Sequence, residues 1–445
     1  MYQLDDLGLR LKNSRYQTYT YSYPHKSAYS HQSAPVCLQP IWAAEDRQNL
    51  MLYVHIPFCE MKCGFCNLFS TVDKANQFEK PYLDALRRQL DAYKKILIDF
   101  KFSRVAIGGG TPTILSIGGM ISLLKILKEF VGVDFHEIPC SVETSPLTAN
   151  SEKLSLLREF GVSRMSMGVQ SIYEEENNQL MRHQPQCVLS TALDALYQSK
   201  FECVNLDLIY GIPGQSVSSW VDSIDFLLRW APQEIFLYPL YQRPLTGLAK
   251  RYSKIERNDL YFKFYEAGKK VLEDAGYQQL STRAFRHSSY RPSSVRAYSC
   301  QEDGMIGIGC GARSYTRNYH YSEEYSVNQS SVRAILQKYI AKSTDEFMYS
   351  HYGVSLSIED VKRRYLIQSI MQAEGLDVYR YAQCFQAAVY DDFPGIRQLL
   401  DFGLASDDAR YIVLNSAGMK LGDVIGPWFM SDVVKNAVSD YIYKG

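Results

Sequence analysis

The sequence lacks an excess of either charge: 48 lysines and arginines meet 48 aspartates and glutamates. That balance removes the broad basic surface that nucleic-acid binding needs, so no nucleic-acid partner is expected. No apolar run approaches the roughly 20 residues that cross a bilayer, and Met1 to Arg15 is polar with mixed charge, unlike a secretory signal. No membrane span is expected, and the chain reads as soluble and cytoplasmic. Ten cysteines are present, but outside one cluster they fall singly, at Cys37, Cys140, Cys187, Cys203, Cys300, Cys310 and Cys384. A disulfide framework belongs to small secreted domains, so most of these seven are expected to be small buried apolar side chains. A second C-x2-C pair is missing as well, which argues against a second cluster domain and leaves a zinc knuckle without its other half.

What is present is the stretch Tyr53-Val54-His55-Ile56-Pro57-Phe58-Cys59-Glu60-Met61-Lys62-Cys63-Gly64-Phe65-Cys66. Three cysteines at C-x3-C-x2-C spacing follow an apolar, β-branched run, and so line a loop leaving a strand. The spacing suits three thiolates on one cuboidal iron–sulfur cluster, whose usual complement is four. A cluster held by three leaves one iron open to bind something else. The plainer alternative is a structural zinc site.

From residue 50 to about 275, short β-rich runs alternate with amphipathic stretches. Strands are expected at 50–57, 104–109, 138–144, 164–169, 203–210 and 234–240. Helices are expected near 78–99, 116–131, 151–160, 173–199, 217–230 and 257–275. Such alternation implies βαβ units and a parallel sheet, and six units fit a partial (β/α)6 barrel in the α/β class. Such a barrel carries its reactive loops at the C-terminal ends of its strands. The cysteine loop falls there, followed by Gly108-Gly109-Gly110-Thr111-Pro112, Glu143-Thr144-Ser145-Pro146, Gly168-Val169-Gln170-Ser171, and Asp207 with Gly211-Ile212-Pro213-Gly214. Glycines let a backbone approach a ligand closely. Glu143, Gln170 and Asp207 read either as strand-end caps or as ligand contacts, and their shared placement favours contacts.

Around this core, residues 1–48 hold Tyr16, Tyr19, Tyr21, Tyr23 and Tyr29, with breaks at Pro24 and Pro35. They are too aromatic for a disordered tail, and a lid-like segment is expected. Domains are expected at 49–275 for the barrel, 276–333 for a sheet extension lining the cavity, and 334–445 for a small, mostly helical C-terminal unit. In that unit Ile358–Glu374 is amphipathic, a short hairpin is expected near Ala409–Gly418, and Leu414-Asn415-Ser416-Ala417-Gly418 resembles a winged-helix turn without a basic face. Arg283, Arg286, Arg291, Arg296 and Arg313 cluster in sequence and read either as substrate-carboxylate forks or as ordinary surface charge.

The run YVHIPFCEMKCGFC, with GGGTP, GVQS, DLIYGIPGQ and GIGCGARSY following in order, resembles the radical SAM enzymes of the oxygen-independent coproporphyrinogen III oxidase (HemN/HemW-like) family. The resemblance implies a [4Fe-4S] cluster on Cys59, Cys63 and Cys66. It also implies S-adenosylmethionine on the open iron, cleaved reductively to a 5′-deoxyadenosyl radical. Tyr53, Gly109, Thr111, Glu143, Gln170, Arg182 and Asp207 match positions that hold this donor, while Phe65 and Gly110 match positions that touch a second donor molecule where one is bound. Without the resemblance, Arg182 reads as a surface ion pair. The resemblance further implies an electron donor such as flavodoxin or ferredoxin, and a small-molecule substrate of tetrapyrrole type.

Tyr21-Ser22-Tyr23-Pro24 matches a segment that folds over the site in the oxidases. Leu68 departs from them, since they carry a further cysteine there. Ser294-Val295-Arg296-Ala297-Tyr298-Ser299-Cys300 departs from the aromatic motif of the heme-chaperone relatives, and the segment around Arg313 matches neither. The expected function is a coproporphyrinogen III oxidase-like oxidoreductase of porphyrin metabolism. A methyl or methylene transferase and a heme chaperone are the alternatives.

Overall fold

Six strands, β1 (Leu50–Ile56), β2 (Phe102–Gly109), β3 (Cys140–Thr144), β4 (Arg164–Gln170), β5 (Cys203–Tyr210) and β6 (Glu234–Pro239), lie side by side in chain order. Every neighbouring pair is parallel. The computed structural model describes residues 2–13, 20, 22–132, 134–253, 255, 260–292 and 298–441. Register sets the site residues level with one another: Ile56 pairs with Gly109, Glu143 with Ser166, and Gly168 with Asp207.

Helices link the strands and cover the outer face. In Glu79–Ile96, Tyr82, Leu86, Leu90 and Tyr93 recur every three or four residues and are buried, as a helix with one apolar stripe requires. The helix starts are marked by side chains: Ser116 accepts from Gly119 N–H, Asn150 from Lys153 N–H, and Ser216 forms a capping box with Ser219. The single helix expected over 173–199 is two, Glu174–Gln179 and Gln186–Gln198. Pro185 cannot donate within a helix, and Met181 sits at φ +54°, so the chain turns between them.

The sheet extends on both sides. Next to β1 lies Met305–Ile308, parallel to it, then Arg313–Tyr315, Tyr319–Ser322, Tyr349–Ser355 and Ser30–Cys37, each antiparallel to its predecessor. Next to β6 lie Ala284–His287 and Tyr277–Gln279. The sheet stays open, with Ser30–Cys37 and Tyr277–Gln279 as its edges. Part of the segment expected as a lid is therefore an edge strand. Most of the helix Gln329–Ala341 and the strand Tyr349–Ser355, expected in the C-terminal unit from 334 onward, belong with the sheet. Tyr16, Tyr19 and Tyr21 lie outside the described residues.

The remainder forms a second apolar core around Leu366, Ile370, Tyr381, Phe393, Trp428 and Phe429, joined by Leu7 and Tyr23 from the N-terminal segment. It contains a hairpin, Ala405–Asp407 with Tyr411–Leu414, completed to three strands by Leu376–Asp377; the hairpin lies earlier than the expected Ala409–Gly418, because Asn415 caps the helix Ser416–Lys420. Two buried polar knots tie it to the rest. Tyr23 O–H donates to Asp360 at 2.6 Å, and Ser431 Oγ to the same carboxylate oxygen at 2.7 Å. Arg283 pairs with Asp423, to which Tyr241 O–H also donates at 2.6 Å. Among the described residues no helix is long and apolar enough to cross a membrane.

Candidate active site

The C-terminal ends of the strands open into a cavity of about 760 Å³. All twelve residues singled out from the sequence line it: Tyr53, Cys59, Cys63, Phe65, Cys66, Gly109, Gly110, Thr111, Glu143, Gln170, Arg182 and Asp207. The GGGTP turn explains itself atom by atom. A Cβ on Gly108 would come within 2.6 Å of the Glu143 carboxyl, and one on Gly109 within 2.7 Å of the His55 ring. One on Gly110 would come within 2.4 Å of the Phe58 carbonyl oxygen and 2.8 Å of Cys59 Sγ. Gly109 also sits at φ +115°, which a side chain would strain. The turn is pinned to the cysteine loop, as Gly110 N–H donates to Ile56 O and Thr111 N–H to Phe58 O, each at 2.8 Å.

Gly168 does the same for Gln170, whose amide nitrogen lies 2.6 Å from where a Cβ would stand. Gln170 itself adopts φ +70°, an uncommon conformation for a side-chain-bearing residue and one that concentrates at functional sites. Arg182 is no surface ion pair. It is buried; Nε donates to Gln184 Oε1 at 2.9 Å, Nη2 to Gly168 O at 2.8 Å and Nη1 to Cys63 Sγ at 3.4 Å.

Charge within the cavity is unevenly compensated. Burial, with the Asp207 charge behind it, pushes the Glu143 carboxyl up to about 7, against one N–H bond from Gly109 at 2.9 Å. Burial likewise raises Asp207 to about 6, although Asn205 donates to it at 2.8 Å. Two acids that resist ionisation suit a cationic ligand, whose arrival favours the charged form.

The chemistry of the three cysteines suits an iron–sulfur cluster, whose protein ligands are thiolates. Here all three line one cavity, and donors are already aimed at two of the sulfurs: Arg182 at Cys63 and, more weakly, Thr111 Oγ1 at Cys59 at 3.9 Å. Burial pushes the Cys59 thiol up to about 12, so metal ligation is what would hold it as a thiolate.

Several cavity residues carried no signal in the sequence. Lys26 is buried, donates to Asn67 O at 3.1 Å and lies 3.7 Å above the Tyr325 ring. Arg364 and Gln368 reach the cavity from the C-terminal unit. Arg243 was findable, because it follows β6 as the other motifs follow their strands. Of the five clustered arginines, Arg313 alone among those described lines the cavity. Arg283 is spent on Asp423, Arg286 bonds Glu234, and exposed Arg291 bonds the Ser288 carbonyl; Arg296 lies outside the described residues.

The fold and the cysteine-lined cavity define a radical SAM protein, and comparison with known proteins agrees. The model of the Radical SAM superfamily matches residues 53–227. The heme chaperone HemW of Haemophilus influenzae is 31% identical over 268 residues, 59% of this chain and 69% of that one. The oxygen-independent coproporphyrinogen III oxidase of Pseudomonas aeruginosa is 26% identical over 394 residues, 84% and 83% of the two chains. Among solved structures, coproporphyrinogen III oxidase (HemN) of Escherichia coli superposes with a TM-score of 0.77 at 24% identity, covering 96% of this chain and 99% of that one. The chain belongs to the radical SAM superfamily as a HemN/HemW-like member.

Proposed function

We propose that the protein is a radical SAM enzyme acting on a carboxylate-bearing tetrapyrrole, with coproporphyrinogen III oxidase-type oxidation of a side chain as the leading reaction. The observation that carries this reading is the composition of the one cavity. Three cysteines and the reluctant acids Glu143 and Asp207 line it, with further acids at Glu60, Glu323 and Glu324 and basic side chains at Lys26, Arg182, Arg243, Arg313 and Arg364 that come from well-separated parts of the chain.

Cys59, Cys63 and Cys66 would hold a [4Fe-4S] cluster. When bound, the cluster and S-adenosylmethionine supply a 5′-deoxyadenosyl radical able to take a hydrogen atom from substrate. Glu143 and Asp207 would receive the donor's ammonium and ribose groups, with Tyr53, Gln170 and Arg182 bounding its binding surface and Gly109 and Thr111 offering backbone. The cations would orient substrate carboxylates, as guanidinium forks do. The walls from the N-terminal segment and the C-terminal unit keep water off the reacting groups. An electron-transfer protein such as flavodoxin or ferredoxin would supply the reductant.

A second reading, transfer of a methyl or methylene group, is favoured by one observation. Phe65 and Gly110 stand on the same wall as the cysteines, and the position where the oxidases carry a further cysteine holds Leu68, also on that wall. Anaerobic reconstitution, then incubation with coproporphyrinogen III, S-adenosylmethionine and a reductant, separates the readings. 5′-Deoxyadenosine with protoporphyrinogen establishes the oxidase. S-Adenosylhomocysteine with an alkylated tetrapyrrole establishes the transferase, and retention of heme in a parallel incubation supplied with heme, without donor cleavage, makes the protein a chaperone.

A further inference from the structure

In the wall that the C-terminal unit gives to the cavity, two buried polar atoms have no hydrogen-bond partner: Nε of Arg364 and Oε1 of Gln368. The two residues stand one turn apart on the Ile358–Ile370 helix and are only 3% and 7% exposed. Among the described residues Arg364 makes no ion pair; its Nη2 donates to the Cys300 carbonyl oxygen at 2.6 Å. Its guanidinium lies 5.9 Å from the centroid of the Tyr315 ring, and that of Arg313 lies 5.6 Å from the same ring. A guanidinium N–H and an amide oxygen left unsatisfied in a buried cavity wall are costly to hold unless a ligand completes them.

We infer that Arg364, with Gln368 and Arg313, forms a carboxylate subsite through which the C-terminal unit anchors one acidic side chain of the substrate. The inference rests on the polycarboxylate reading given above. A carboxylate's two oxygens match the N–H pair of a guanidinium edge, and the Gln368 amide can present either end, so it supplies a further N–H. The donor's own carboxylate is the competing source of the same chemistry, and the test separates the two.

The reconstituted holoprotein is titrated anaerobically with coproporphyrin III and, in parallel, with its tetramethyl ester, following porphyrin absorbance. Arg364→Gln is expected to weaken the acid by about tenfold or more and to leave the ester unchanged, with Arg364→Lys in between. Equal losses for acid and ester, an unchanged acid affinity, or a loss confined to S-adenosylmethionine binding would each overturn the subsite. If the wild-type protein binds neither porphyrin, the tetrapyrrole reading fails while the subsite is still decided by thermal unfolding. Sodium propionate should then raise the wild-type midpoint above that in sodium chloride of equal ionic strength and leave Arg364→Gln unmoved; equal shifts in the two proteins sink it.

Discussion

The hydroxyl of Tyr53 donates to Nδ1 of His55 at 3.2 Å, because the other ring nitrogen, Nε2, already donates to the Phe69 carbonyl oxygen at 2.8 Å. A carbonyl can only accept, so Nε2 carries the ring hydrogen and Nδ1 must be the acceptor. Burial holds the His55 ring neutral, its pKa lowered to about 4. Glycines clamp it on both sides: a Cβ on Gly109 or on Gly311 would stand 2.7 Å from a ring atom. Tyr53 thus meets the cavity with its hydrogen already committed to the imidazole.

From this follows a non-additive pair. Tyr53→Phe and His55→Gln should each weaken S-adenosylmethionine binding by up to about tenfold, and the double variant should lose little more than either single one. Calorimetric titration of the reconstituted protein checks this, and fully additive losses would mean that His55 does not act through Tyr53.

Glu143 sets a pH dependence. With its carboxyl at about 7, binding of a donor ammonium expels a proton, so donor affinity should rise as pH climbs through 7. Glu143→Gln should flatten that rise. Stability runs the other way. The folded values of Glu143 and Asp207 lie above their ordinary ones, so the native state binds more protons than the unfolded chain and loses stability as pH rises from about 4 to 7. Without donor, Glu143→Gln should therefore melt higher than wild type at pH 8 and show little gain at pH 5. An equal gain at both would show that Glu143 is not the titrating group.

Gly110→Ala should cost the cluster. Its Cβ would press on the Phe58 carbonyl and on Cys59 Sγ, displacing the first cysteine, and iron per chain after reconstitution should fall by more than half. Gly118→Ala is the control: nothing lies within 4 Å of its added methyl, and alanine in a helix should stabilise by about 0.5 kcal/mol without altering iron content.

Breaking the buried pair between the sheet and the C-terminal unit should be expensive. Asp423→Ala leaves Arg283 and Tyr241 without their shared acceptor and should destabilise by about 3 kcal/mol or more. Arg283→Met with Asp423→Leu should recover much of that loss. Denaturant titrations of the wild type and the two variants decide it, and a double variant worse than the single one would disprove the account.

The strand ends were legible because each carries residues that ordinary turns do not need, and the glycines at 108, 109, 110 and 168 prove to be spaces for Glu143, His55, Cys59 and Gln170. The edges of the sheet were not. Ser30–Cys37 is largely exposed and contains a proline, and it becomes a strand only by pairing with Tyr349–Ser355, more than 300 residues away. The arginines misled for the same reason: local sequence shows that Arg283 and Arg286 are cations but not that Asp423 and Glu234 already occupy them. Lys26 and Arg364 have no local mark, since only the assembled fold carries them to the cavity.

The walls contributed by Lys26 and Arg364 also bear on the order of manufacture. On the ribosome the three cysteines emerge about 300 positions ahead of Arg364 and well before the helices around Trp428. The thiols are therefore made before the cavity wall that carries Arg364 and Gln368 exists, and the vessel's mouth is bounded only after its floor.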